Sequence, residues 1–240
     1  MTTFEGIKFY KNKTLKTTLM TLISLISINL TAQNCNDFFS FKKGNCIEYI
    51  HNNAKGKTES ISKMTISDVS INEGIITLKT DNVYYDDKEK ETYTFQQTYY
   101  CQDGIISFDM SNMFDPKTME GYKDMQVSLT SDKLDLPNSL SVGQTLKEGN
   151  ATMIVSNQGM KLMTMTIRVY NRKVEANETI SVPAGTYDCF KITYDVESKV
   201  LFKIQGKAAE WYAKGIGMVK QETYDNKGKL TGSTLLKSIK

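Results

Sequence analysis

The chain has little of what catalysis and metal binding need. Histidine occurs once in 240 residues, as His51, and cysteine four times, as Cys35, Cys46, Cys101 and Cys189. No Cys-x-x-Cys and no second histidine is present, so the ligand spacing of a zinc centre is missing, and neither a metal nor any other cofactor is expected. A Gly-x-Ser-x-Gly elbow is also absent, and no triad can be assembled around His51. His51 follows Tyr49 and Ile50 at the end of an expected strand, and reads as solvent-facing. Proline is confined to Pro116, Pro137 and Pro183, which permits long strands elsewhere. No uninterrupted apolar run reaches the roughly 20 residues that cross a bilayer as a helix.

Net charge is also scarce. The formal +3 is supplied by the first 32 residues, where Lys8, Lys11, Lys13 and Lys16 stand against Glu5. The rest of the chain is neutral, which removes the overall basic character that nucleic acid would require. Those four lysines precede a short apolar core, "TTLMTLISLISINLTA", in the layout of a signal peptide. Cleavage is expected after Ala32, leaving residues 33–240 as a single exported domain. Asn34 before Cys35 argues against lipid attachment at that cysteine. Four cysteines in an exported chain allow three pairings. Cys35 with Cys46 is the first expectation. Cys101 and Cys189 can join only if their strands are neighbours, and free buried thiols are the alternative.

Period-two alternation runs through most of the chain after residue 45, the mark of half-buried antiparallel strands. "TYTFQQTYY" sets Tyr93, Phe95, Gln97 and Tyr99 on one face. "MTMTIRV" aligns Met163, Met165, Ile167 and Val169, and "DCFKITYDV" aligns Phe190, Ile192, Tyr194 and Val196. Compact turn signals separate the strands, among them "NEG", "QDG", "SNQG", "PAG" and "DNKGK". "YIHNNAKGKTES" and "TYDNKGKLTGS" echo each other, as if two hairpins met one turn problem in the same way. A weak helical pattern around Met113, Phe114 and Met119 allows at most one short helix near 111–120. The fold class is therefore all-β, a single antiparallel meander curved into a barrel or half-barrel.

Few stretches suggest chemistry. Gly215 and Gly217 lead into an alternating strand, not a helix, so they read as a strand junction and not a phosphate cradle. Asp109, among apolar neighbours, is expected to carry a raised pKa. Met163 and Met165 alternate with threonine in register with Ile167, which favours core packing over a thioether metal site. Tyr84, Tyr85, Tyr93, Phe95, Tyr99 and Tyr100 crowd two consecutive strands on both faces, more rings than one core can take. They suggest a cavity or a second packed face, with Tyr93, Phe95, Tyr99 and Trp211 as candidate ligand-binding residues.

"LPNSLSVGQTL", "VPAGTYDCFKI", "AEWYAKGIGMVKQE" and "DNKGKLTG", in that order, resemble exported TapB-like proteins grouped with domain of unknown function 3108. The resemblance implies an all-β envelope protein of Gram-negative bacteria, in the periplasm, at the outer membrane or on the surface. It carries over no catalytic residue. It implies only structural roles: a tight turn at Pro183 to Gly185, a core or cavity aromatic at Trp211, and a junction at Gly215 and Gly217. The expectation is a non-enzymatic module for an apolar or lipid-like ligand or an envelope partner, without nucleic acid. The alternatives are a structural or adhesive surface protein and a carboxylate-dependent hydrolase.

Overall fold

A computed structural model describes residues 35, 37–39, 42–114, 119 and 121–240. The expected signal peptide and its cleavage point lie outside these residues. The described chain forms β1 (Cys46–Asn53), β2 (Thr58–Asn72), β3 (Ile75–Asp86), β4 (Glu91–Gln102), β5 (Ile105–Asp109), β6 (Gln126–Ser131) and β7 (Lys133–Pro137). It continues through β8 (Gly149–Asn157), β9 (Met160–Val182), β10 (Gly185–Lys199), β11 (Lys203–Ala213), β12 (Gly217–Asp225) and β13 (Leu230–Ile239). A 3₁₀ turn, η1 (Met110–Met113), occupies the place where helical character was expected.

The turns explain the meander. Glu73–Gly74, Asp103–Gly104 and Gln158–Gly159 each put two successive residues at positive φ, the geometry that follows the right-handed twist of a two-residue hairpin. The echoed segments form one and the same turn. Asn53 Oδ1 accepts from the Lys55 and Lys57 N–H groups, and Asp225 Oδ1 accepts from Lys227 and Lys229. Asp86 repeats the device with Lys88 and Lys90.

All these strands join one antiparallel sheet in the order β6-β8-β9-β10-β11-β12-β13-β1-β2-β3-β4-β5-β7, coiled almost into a barrel. Its two edges are a single run of chain interrupted at Asp132: β6 pairs with β8, and β7 pairs with β5. The remaining gap between β7 and β9 is bridged by the segment after Pro137. There Gly143 and Leu146 donate to the Val174 and Arg172 carbonyls. Buried Arg172 also reaches across the gap, donating to the carbonyls of Asp135 at 3.1 Å and Lys147 at 2.7 Å. Such charge-assisted bonds replace the ladder bonds that these edges lack.

One hairpin outgrows the barrel. At 23 residues β9 is the longest strand, and bulges at Lys191/Ile192 and Thr193/Asp195 bend its pairing with β10. The β9–β10 tip returns to the sheet, where the Ala184 N–H donates to the Leu236 carbonyl at 3.2 Å. Ile180, Val182, Ala184 and Tyr187 pack there against buried Trp211, Ala213, Val219 and Leu236. The pairing of β12 with β13 ends at Lys220 and Leu235, so the tip sits where the two strands part.

The cysteine pairing differs from the first expectation. Cys35 is bonded to Cys101, and both Cys46 and Cys189 are free. Local spacing favoured Cys35 with Cys46, but β4 ends beside the N-terminal segment, whereas Cys46 opens β1. Cys101 and Cys189 lie on strands β4 and β10, which are not neighbours in the sheet. The bridge spans 66 residues, and closing a loop of that length restricts the unfolded chain by about 4 kcal/mol. Burial first, then Asp188 and Glu178, push the Cys189 thiol up to about 11, which leaves it an unreactive core residue.

Candidate functional site

Strand alternation decides which side chains reach the barrel interior. On β11, Ala208, Glu210 and Tyr212 point in, while Ala209, Trp211 and Ala213 lie on the face covered by the β9–β10 hairpin. The inward set from β4 holds Gln97 and Tyr99, that from β10 holds Tyr194, and that from β12 holds Met218 and Gln221. Between them lies a cavity of about 290 Å³. Its walls are largely apolar: Phe39, Met64, Ile106, Phe108, Leu134 and Val169 contribute.

The polar part of the wall is built around Glu210. The Tyr194 hydroxyl donates to its Oε1 at 2.6 Å, the Tyr212 hydroxyl to its Oε2 at 2.8 Å, and Gln221 Nε2 to Oε1 at 2.9 Å. Burial, and then the carboxylate beside them, hold both phenols well above their ordinary pKa, so they remain donors. Arg172 also borders the cavity. Tyr49 closes another part of the wall, its hydroxyl donating to the Met218 carbonyl at 3.0 Å. Both carboxylate oxygens of Glu210 are thereby engaged. Asp135, the other acid on the cavity wall, has its carboxylate 3.6 Å from Lys147 Nζ. The arrangement suits a fixed polar patch in an apolar chamber better than proton transfer.

One end of the barrel is crossed by the N-terminal segment. Phe38 is fully buried in the core, and Phe39 lines the cavity and leans on Tyr212, ring centroids 6.3 Å apart. The glycine pair receives this strap: the Gly215 N–H donates to the Asp37 carbonyl at 2.6 Å. A Cβ on Gly217 would stand 3.4 Å from the Phe39 ring, and its φ of +92° disfavours any side chain. Lys214 adds an ion pair with Asp37 at 3.2 Å, and the Asp37 N–H donates to Asn138 Oδ1 at 2.5 Å. The junction role implied by the resemblance therefore has a specific content, namely close approach of the strap.

The candidate ligand-binding residues are not gathered in one place. Tyr99 lines the cavity. Trp211 does not; it is buried under the hairpin, its Nε1 donating to Glu178 at 2.5 Å, with Lys191 and Lys220 over its ring. Tyr93 and Phe95 point inward at the end opposite the strap, where Tyr84 stacks on Tyr93 at 4.6 Å and on His51 at 5.4 Å. His51 is not the solvent-facing residue expected. Its Nδ1 lies 3.0 Å from Thr234 Oγ1 and its Nε2 2.8 Å from Ser62 Oγ, both partners buried. Burial lowers its pKa to about 4. The group orienting the ring is a hydroxyl and not a carboxylate, so this is a packed hydrogen-bond network without the third member of a triad. Asp109 is also corrected. Burial raises its pKa, but hydrogen bonds from Ser111 and Ser131, and then Lys133, outweigh that and lower it. It caps η1.

Tyrosines on the outer face explain the surplus of rings. Tyr85 lies under Lys63 at 4.8 Å and Tyr100 under Lys133 at 3.9 Å. Met153 is fully buried and Met163 and Met165 pack against the same cluster, as expected, whereas Met160 is exposed. Among the described residues, no group of three or more His, Cys, Asp or Glu is arranged to hold a metal ion, and no helix is long and apolar enough to cross a membrane.

Two crystal structures share this architecture. A protein of Bacteroides fragilis NCTC 9343, assigned as exported with a YmcC-like fold, superposes with a TM-score of 0.69 at 25% identity, over 86% of this chain and 100% of its own. A protein of Parabacteroides distasonis ATCC 8503, assigned as a lipoprotein, gives a TM-score of 0.69 at 22% identity, over 87% of this chain and 100% of its own. No protein with a curated description matches the chain significantly. The DUF3108-like family model matches residues 42–236, from the segment before β1 to Leu236 in β13, and the chain belongs to that family.

Proposed function

We propose that the chain is an exported, non-catalytic envelope module, with residues 1–32 as leader and 33–240 as the exported domain, that holds an apolar or lipid-like ligand inside its barrel. The observation that carries this reading is the cavity of about 290 Å³, apolar over most of its wall and polar at Glu210, Gln221 and Arg172. That volume is at the small end of small-molecule sites, and a few fixed polar groups in an apolar lining are their usual composition. Export is supported by the assignment of the Bacteroides fragilis relative. The engaged hydrogen bonds of Glu210 favour binding over turnover. An adhesive or structural surface role is the second reading, and draws on apolar side chains exposed at Leu201 and Phe202.

A fluorescent fatty-acid analogue tests the binding reading. The native chain should bind it at micromolar concentration, and Met218→Phe, which fills the chamber, should weaken binding tenfold or more while circular dichroism stays unchanged. Equal binding by a folded Met218→Phe variant would place the probe elsewhere and defeat the proposal.

A further inference from the structure

The β10–β11 turn presents the most exposed apolar side chains of the described residues. Leu201 is 81% and Phe202 80% exposed, followed by Ile204 at 71%, with Val200 beside them. Three consecutive large apolar residues at an exposed turn oppose the hydrophobic effect unless something covers them. The register adds a second oddity, since Lys199 and Lys203 face each other directly at the base of this tip. Like charges opposed across a ladder repel. Glu197 answers Lys203 at 2.9 Å, and Lys199 is exposed.

We propose that this hairpin tip docks the barrel onto a lipid bilayer carrying anionic headgroups, with Val200, Leu201 and Phe202 in the acyl boundary and Lys199 at the phosphates. An exposed turn of three apolar side chains offers a few hundred Å², short of the roughly 1,000 Å² that a stable protein interface needs. Insertion into lipid requires no matching surface, and lysine stems reach naturally from acyl to headgroup level. The neutrality of the chain beyond residue 32 does not oppose this, because with Lys203 answered by Glu197 the charge of Lys199 is local to the tip. The adjoining β8–β9 turn lies at the same end of the sheet and repeats the pattern, with exposed Met160 and Leu162 on either side of Lys161.

The test uses the full chain with vesicles of phosphatidylethanolamine and phosphatidylglycerol containing brominated acyl chains. The apolar segment before residue 32 could itself bind lipid, so the readout must be local. The indole introduced by Phe202→Trp should be quenched by the bromines, and the one introduced by Ile71→Trp, exposed at the other end of the barrel, should not. Leu201→Ser with Phe202→Ser should reduce partitioning roughly tenfold or more, and replacing phosphatidylglycerol by phosphatidylcholine should also weaken it. Equal quenching at both positions, or none at Phe202→Trp in vesicle-bound protein, overturns the proposal. So does concentration-dependent dimerisation without lipid that the double serine variant abolishes, since a second copy would then be the occupant.

Discussion

The two ends of the barrel are finished in opposite ways. At one end the strap of Asp37, Phe38 and Phe39 is tied by the Cys35–Cys101 bridge, by the Gly215 N–H and by Lys214, and Phe38 is wholly buried. At the other end the turns are short and lysine-bearing, His51 stacks on Tyr84 just inside, and Leu201 and Phe202 stand in solvent. The first end is held by covalent bonding and apolar burial. The second packs His51, Tyr84 and Tyr93 inside but leaves the apolar side chains of its β10–β11 turn uncovered. Phe39 of the strap lines the chamber at the first end.

Substitutions sharpen that contrast. Phe38→Ala should have the largest effect, a loss of about 3–5 kcal/mol in urea unfolding, because it empties a fully buried aromatic site under the strap. A smaller and pH-dependent effect belongs to His51. Its pKa falls from 6.5 to about 4 in the fold, so below 6.5 the unfolded chain binds a proton that the folded chain refuses. That contribution is complete above about pH 6.5 and is lost as pH falls towards 4. Linkage sets it at about 3 kcal/mol at most, reduced because the ring is only partly buried. His51→Gln should flatten the stability profile between those pH values. The smallest effect is expected at the β10–β11 turn, where Leu201→Ser should change stability by no more than about 0.5 kcal/mol. A large loss there would mean that the turn is structural, and the contrast between the two ends would fail.

Much of the sheet is legible in the chain itself. The faces of Phe95, Gln97 and Tyr99, and of Phe190, Ile192 and Tyr194, follow from alternation, and the Lys-Gly-Lys echo marks two copies of one turn. Alternation, however, names faces without saying what covers them. Trp211 and Glu210 are neighbours on β11; one goes beneath the hairpin and the other into the chamber, and only the curl of β9–β10 decides which is which. The cage around Glu210 draws on β10, β11 and β12, so no short stretch displays it. Its one local trace is a glutamate in phase with Tyr212 on an inward face. Cys35 finds Cys101 because β4 happens to end where the strap crosses, a relation set by the closed sheet and not by spacing.

If the chamber of about 290 Å³ is a binding site, it is occupied in the cell. Native mass spectrometry of the protein purified gently from its native host reads that occupancy out. A discrete adduct is predicted, removed by organic extraction and retained less well by Met218→Phe. A single bare mass from gently prepared material, unchanged by extraction, would contradict it.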